Sequence, residues 1–326
     1  MKKPAKKSNK KHSNILQNVR MLRKEKRIKK IIVIGGGKGC AAVLSGLAPH
    51  PVELSAIVAM ADDGGSTGVL RRELGVHPPG SVRPALIALA QDQATARLFE
   101  YRFAEGVLQG HTVGNIIIAG FEKLHGSFEK AIAEAEKLLH ARGKVIPSTL
   151  QRVTLFAELK DKSVIRGETE IDIPKEKNRP PIRRVWLEPR ARLNPEARAA
   201  ILRADMIVIG PGDLYTSIIP NFLVSGMREA VKKSRAKKVF VVNAMNKTGE
   251  TDGFTAGDFV RIVERYLGSK ILDTAVVNKK IVSPECVRPE NLSRSPAPIL
   301  VNLLNAKNQS RYDQKILAKL LISLVS

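Results

Sequence analysis

Cysteine, acidic side chains and long apolar runs are all scarce in this sequence. Only Cys40 and Cys286 occur among 326 residues. Two cysteines make neither a disulfide framework nor a zinc cluster, and a reducing, cytosolic compartment is expected. No stretch approaches the ~18 consecutive apolar residues of a membrane span. The N-terminal segment is not expected to be a signal peptide. Its apolar run at 15–22 is short, is broken by Arg20 and is followed by more lysines. HExxH, CxxC and a Ser-His-Asp set arguable from spacing are also missing, which counts against a hydrolase and a structural zinc site. No internal repeat is visible.

The shortage of acid is uneven. Lys and Arg number 55 against 31 Asp and Glu, a formal net charge of +24. Residues 1–30 hold 13 Lys or Arg and a single acid, Glu25, so this arm alone carries +12. Such a segment buries too little apolar surface to fold alone. A solvated, disordered tail is expected, with a short helix near 15–22 as an alternative. Its charge also suits an acidic partner, nucleic acid or an acidic membrane surface.

From residue 30 onward apolar runs alternate with helical patterns. Ile31-Ile32-Val33-Ile34 is a β-branched run that ends in Gly35-Gly36-Gly37, as a buried parallel strand does on entering a tight turn. Further strands are expected at 54–59, 206–209, 238–242 and 272–277. Helices are expected up to Leu47, over 82–103 with a break, at 128–139 capped by Ser127, at 195–203, around 222–233, at 255–267 and at 313–325. Between 145 and 186 the pattern changes to antiparallel strands, 153–159 and 163–173, around an Asp161-Lys162 turn. The fold expected is a doubly wound, mostly parallel, Rossmann-like α/β sheet. It comprises one domain over 31–326, with an antiparallel insertion at about 146–190 that is too short to hold its own core.

In such sheets ligands bind beyond the carboxyl ends of the strands, and five polar loops are expected to follow strands there. The first is Gly35-Gly36-Gly37-Lys38-Gly39, where glycines let backbone approach a pyrophosphate at a helix N-terminus. Its spacing is neither a dinucleotide fingerprint nor a P-loop, since Cys40 and Gly39 occupy required positions. A structural turn explains it equally simply. The second, Ala61-Asp62-Asp63-Gly64-Gly65-Ser66-Thr67-Gly68, pairs two aspartates that suit a divalent cation such as Mg2+. Ser66 and Thr67 suit a phosphate or sugar, and Arg71 beyond them either meets an anion or is solvated. The third is Gly110-His111-Thr112-Val113-Gly114-Asn115, whose Asn115 amide suits a base or ribose while His111 reads as structural. The fourth is Gly210-Pro211-Gly212-Asp213-Leu214-Tyr215-Thr216-Ser217, with hydroxyls at Thr216 and Ser217 and a Tyr215 that stacks or packs. The fifth runs from Asn243 to Asp252 and includes Glu250 and Thr251, in either a functional or a capping role.

These loops, in this order, resemble the gluconeogenesis-factor family, whose relatives include 2-phospho-L-lactate transferase. The resemblance spans roughly residues 30–280. It rests on Ile34-Gly35-Gly36-Gly37, Ala61-Asp62-Asp63-Gly64-Gly65-Ser66, Gly114-Asn115, Gly210 to Ser217, Arg166-Gly167-Glu168 and Gly249-Glu250-Thr251-Asp252-Gly253. It implies a sugar-nucleotide sensor that binds a small molecule of the UDP-N-acetylglucosamine type, with GDP or NAD as alternatives, and influences carbon use, cell shape and the cell envelope. The transferase branch implies instead a divalent metal and movement of a phospholactyl group from a nucleotide diphosphate carrier to a deazaflavin. The Gly249–Gly253 run and Val276-Val277-Asn278 look like the sensor branch. The chain departs from the family at Lys38, where Thr is usual, at Asp213, where Ser is usual, at Ser81 and at Asn246-Lys247-Thr248. A homo-oligomer remains open.

Overall fold

The computed structural model describes residues 27–176 and 178–325. The expectations for residues 1–26 lie outside the described residues. Seven parallel strands form the main sheet: β1 (Lys29–Gly35), β2 (Val52–Val58), β3 (Lys144–Pro147), β7 (Met206–Ile209), β8 (Lys237–Val241), β9 (Thr274–Asn278) and β10 (Ala297–Val301). Their order is β10-β9-β8-β7-β1-β2-β3, and every pairing is parallel. The chain builds outward from β1 to β2 and β3. It then returns to β1's other side with β7 and builds outward again. The reversal makes β1 and β7 neighbours whose connections leave in opposite directions, which opens a crevice at their carboxyl ends.

The central strands are apolar without alternation because both faces are covered. Ile32, Ile34, Ile207 and Ile209 belong to one hydrophobic cluster. Ile31, Val33, Met206 and Val208 belong to the other. Successive side chains point to opposite faces, so one strand feeds both cores, at about 1.5–3 kcal/mol for each large side chain fully buried. Helices cover the sheet. They include α1 (Gly37–Leu47), α2 (Gly65–Leu74), α3 (Pro79–Leu89), α4 (Gln93–Glu100), α5 (Val113–His125) and α6 (Phe128–Leu138).

Several expectations need correction. Lys144–Pro147, assigned by its sequence pattern to the edge of the insertion, is the outer strand of the main sheet and pairs with β2. The antiparallel sheet starts later, with β4 (Thr154–Leu159), β5 (Val164–Arg166) and β6 (Ile182–Glu188) in the order β5-β4-β6. Residues 163–173 are not one strand. Gly167 has φ 102°, and the chain turns there into a short helix, α7 (Glu168–Asp172). The helix expected around 222–233 is broken into α9 (Ile219–Phe222) and α10 (Met227–Lys233), after α8 (Pro195–Arg203). Gly226, with φ 95°, separates the two. The third polar loop follows no strand of the sheet; it closes a bridge between Arg102 and Thr112 and leads into α5. After α11 (Ala256–Leu267) and β9, the edge strand β10, which the pattern missed, precedes the C-terminal helix α12 (Gln314–Val325). β10 is mostly exposed, so no continuous apolar run marks it.

The turns after β1 and β7 touch. A side chain on Gly39 would overlap the Pro211 carbonyl oxygen. Gly39→Ala should therefore destabilise the fold by roughly 1–3 kcal/mol, as overpacking does. Urea denaturation checks this, and a loss below about 0.5 kcal/mol, the range of neutral surface changes, would show that the turns can separate freely.

A second expectation concerns His77, which lies beneath the second loop. Its Nδ1 is 2.6 Å from Glu122 Oε1 and its Nε2 is 2.8 Å from the Leu150 carbonyl oxygen. Burial alone lowers its pKa, but the Glu122 hydrogen bond, the Leu150 carbonyl and the Glu122 charge outweigh that and raise it. With two acceptors facing both nitrogens, the imidazolium is the favoured form. The folded-state pKa lies above the unfolded value, so His77 contributes fully below about pH 6.5. That contribution is lost as pH rises through the folded-state pKa. Denaturation measured from pH 5.5 to 8.5 (a window of about one unit below and two above the unfolded value) should show this decline, and Glu122→Gln should flatten it.

Candidate functional site

The crevice between β1 and β7 is lined by backbone. Gly36 is extended and caps α1 with no side-chain hydrogen bond, so the first-turn amides of the helix are not occupied by a capping side chain. A side chain on Gly36 would sit 3.4 Å from Ser217 Cβ, and one on Gly37 3.7 Å from Ser217 Oγ. Gly37 has φ +57°, which favours glycine. Gly35 is buried at the strand end. Gly210 and Gly212 also have positive φ, and the Gly212 amide donates to Asn243 Oδ1 at 3.1 Å. Asn221, fully buried, donates from Nδ2 to the carbonyl oxygens of Gly35 (3.1 Å) and Ser217 (2.9 Å). It staples the two turns together, and its Oδ1 has no partner among the described residues. Sequence pattern could not single it out, since a lone Asn inside an apolar helix gives no spacing signal.

Lys38 is exposed and lines a groove between α1 and α3 that also contains Arg142 and Arg311. Its charge lies at the rim of the first turn.

The fourth loop tightens into a π-helical turn, Leu214–Ile218, in which the Ile218 amide reaches back five residues to the Asp213 carbonyl. This turn presents Thr216 and Ser217 at the crevice. Thr216 Oγ1 donates to Glu250 Oε1 at 2.9 Å and lies 3.2 Å from Asp172 Oδ1. The Tyr215 amide donates to Glu250 Oε2, whereas its ring is 2% exposed and packs in the core. Burial and the Asp213 charge push the Glu250 carboxyl up to about 7. Lys247 donates to Asp172 and to Asp213, the latter at 2.8 Å. Burial works against its charge, but the Asp213 charge and these two hydrogen bonds raise its pKa. Thr251 is buried and accepts the Lys247 amide at 2.9 Å, closing the fifth loop.

The second loop faces the same region from the β2 side. Asp62 Oδ1 accepts the Gly64 amide at 3.0 Å, and burial raises its pKa. Asp63 turns away: its carboxylate accepts the Thr169 amide (3.0 Å), the Thr169 hydroxyl (2.9 Å) and the Glu168 amide (3.2 Å). It holds the N-terminal end of α7, although it lies 105 residues away from Glu168. The carboxylate of Asp172, at the other end of α7, meets Thr216 and Lys247. This short helix therefore bridges the β2 loop to the β7 loop. Glu168 is a functional candidate that residue-by-residue reading missed, although Arg166-Gly167-Glu168 marked the segment. Burial first, then the charges of Asp62, Asp172 and Asp63, push its carboxyl up to about 9.

Ser66 and Thr67 are buried. Ser66 Oγ accepts from Asn115 Nδ2 at 3.1 Å and lies 3.1 Å from His111 Nδ1. Asn115 Oδ1 accepts from Arg83 Nε at 2.9 Å. Thr67 Oγ1 accepts the Gly80 amide at 3.2 Å. Arg71 donates to the Asp62 carbonyl (2.6 Å) and the Val153 carbonyl (3.0 Å), tying the second loop to the start of β4. The loops thus meet as three linked groups: glycine turns at the crevice, hydroxyls and amides around Ser66, and carboxylates around Lys247. Among the described residues no three His, Cys, Asp or Glu side chains are grouped to hold a metal. A divalent ion near Asp62 would need phosphate oxygens to complete its coordination.

Comparison with known proteins follows the same ground. The sequence model of the family described as 2-phospho-L-lactate transferase CofD matches residues 31–321. A gluconeogenesis factor of Halalkalibacterium halodurans is 41% identical over 277 residues, covering 84% of each chain. That of Bacillus subtilis is 43% identical over 262 residues, covering 79% of this chain and 81% of the other. A crystal structure of a UPF0052-family protein from Bacillus halodurans superposes with a TM-score of 0.84 at 36% identity, covering 91% of this chain and 99% of that one. With the family model matched over residues 31–321 and relatives above 40% identical over most of the chain, this protein belongs to the gluconeogenesis-factor family, within the wider CofD-type group.

Proposed function

We propose that the crevice between β1 and β7 binds a nucleotide diphosphate sugar of the UDP-N-acetylglucosamine type. In this reading the protein acts in the cytoplasm as a regulator of carbon metabolism, cell shape and the cell envelope, without turnover. The observation that carries the reading is the contact of two glycine turns at the sheet's switch point. The first turn leaves the opening amides of α1 without a capping side chain, and the second brings the Ser217 hydroxyl beside Gly37. The helix dipole of α1 adds partial positive charge there. The pyrophosphate would lie along Gly36, Gly37 and Ser217, with Thr216 beside it. GDP and NAD share that diphosphate and are competing ligands.

Calorimetry with UDP-N-acetylglucosamine, GDP and NAD tests this. The sugar nucleotide should bind most tightly. Ser217→Ala and Gly37→Val should each weaken it, the latter by roughly tenfold or more, because its side chain would intrude where the phosphate lies. Undiminished affinity in both folded variants would move the site elsewhere.

A second reading, a metal-dependent transfer of a phospholactyl-type group, draws on Glu168. A carboxyl pushed up to about 9 by burial first and then by the charges of Asp62, Asp172 and Asp63 is neutral at pH 7, and a cation would draw off its proton. If Mg2+ binds there with the nucleotide, calorimetry near pH 8 in buffers of differing ionisation heat should detect proton release. Glu168→Gln should abolish that release. Group transfer from a nucleotide-linked phospholactyl or phosphoenolpyruvyl donor, above background and lost in Asp62→Asn, would overturn the regulator reading.

A further inference from the structure

Helix α2 separates the candidate site from a second opening. The face of the helix that carries Ser66, Thr67 and Leu70 is buried, and its hydroxyls are bound to groups of the site already described. The opposite face carries Gly65, Gly68 and Arg72, at the three- and four-residue spacing of one helical stripe. That stripe lines a cavity of about 510 Å3, closed on its other side by the start of β4 and by the β5–α7 corner. A side chain on Gly65 would meet nothing within 4 Å, so the cavity reaches the backbone there. The volume is that of a small-ligand pocket.

Four guanidinium groups line this cavity: Arg71, Arg72, Arg152 and Arg166. Their charges are only partly compensated. Arg71 bonds two neutral carbonyls; burial lowers its pKa, partly offset by the nearby Asp63 and Asp62 charges, and the Arg152 charge lowers it further. Arg152 bonds the Gly75 carbonyl. Among the described residues Arg72 pairs only with its exposed neighbour Glu73, at 3.2 Å. Arg166 has no ion pair and no side-chain hydrogen bond among the described residues. The two acids on the lining are committed elsewhere. Asp63 holds the start of α7, and Glu170 pairs with Lys175 at 2.7 Å. Like charges gathered without counter-ions are destabilising, and a multiply charged anion relieves them. Guanidinium forks match phosphate oxygens in pairs.

We propose that this cavity is a second ligand site, distinct from the crevice between β1 and β7, and that it binds a small phosphate ester carrying two or more negative charges. Arg71 and Arg152 are fixed by backbone carbonyls and form the floor. Arg72 and Arg166 are free to close on the ligand from opposite walls. Because Arg71 also grips the Asp62 carbonyl and Gly64 lines this cavity, occupancy here bears on the second loop. The proposal does not depend on which ligand the crevice takes.

Titration calorimetry on the full chain tests it with fructose 1,6-bisphosphate, fructose 6-phosphate, fructose and citrate. The bisphosphate should bind, the monophosphate more weakly and fructose not at all, and affinity should fall with added salt. Arg72→Ala and Arg166→Ala change exposed side chains and should melt like the parent chain, yet each should weaken the bisphosphate roughly tenfold. Ser217→Ala should leave that binding unchanged. The proposal is overturned by absence of binding for both phosphate esters at millimolar concentration. It also fails if affinity is unchanged in the Arg72→Ala, Arg166→Ala double variant, or lost in Ser217→Ala. Citrate binding as tightly as the bisphosphate would likewise refute phosphate recognition.

Discussion

The close approach of two backbone turns at the centre of the sheet is the constraint on which the rest depends. Gly39 lies against the Pro211 carbonyl, and Gly36 lies against Ser217. Strands β1 and β7 pair in parallel from Ile31 to Ile34, so their turns leave the sheet side by side. At Gly39 only a residue without a Cβ fits that spacing. Asn221 adds hydrogen bonds from one turn to the other inside a fully buried environment, where such bonds are hard to replace. The glycines therefore serve packing and access together. They let the turns meet, and they leave main-chain amides at the bottom of the crevice.

Around that fixed floor the site is assembled from parts far apart in sequence. The short helix Glu168–Asp172 carries most of the joining. Asp63 holds its beginning, and Thr216 and Lys247 meet the Asp172 carboxylate at its end. The inserted antiparallel sheet is thus fastened to the catalogue of loops at the carboxyl edge rather than appended to the surface. The result gathers Asp62, Glu168, Asp172, Asp213 and Glu250 near one lysine. Two of these carboxyls, Glu168 and Glu250, are pushed up to about 9 and about 7. Clusters of shifted carboxyls are common at functional sites. Here the raised carboxyls form a proton-donating face beside the amide-lined crevice.

The arginine-lined cavity belongs to a different balance of charge. Helix Gly65–Leu74 has hydroxyls on its buried face and glycines with an arginine on its open face. Acidic groups collect on one side of the second loop and basic groups on the other. Arg71 joins the two by holding the Asp62 and Val153 carbonyls.

Sequence by itself determined the strands that face two cores. An unbroken apolar run such as Ile31-Ile32-Val33-Ile34 has one reading when it ends in glycine. The glycine turns, the Ser127 cap and the family were legible for the same reason, because each depends on local chemistry. Edge elements were less legible. Lys144–Pro147 is four residues long and β10 is mostly exposed, so neither carries the pattern of a central strand. Tertiary structure alone decided which groups meet. Asp63 read as a metal ligand beside Asp62, but its carboxylate is turned to amides about a hundred residues away. Arg71 read as an anion contact or a solvated side chain, and it holds two carbonyls. Asn221 and Glu168 acquire their significance only through partners on other strands, because burial and electrostatic coupling are properties of position in space and not of spacing along the chain.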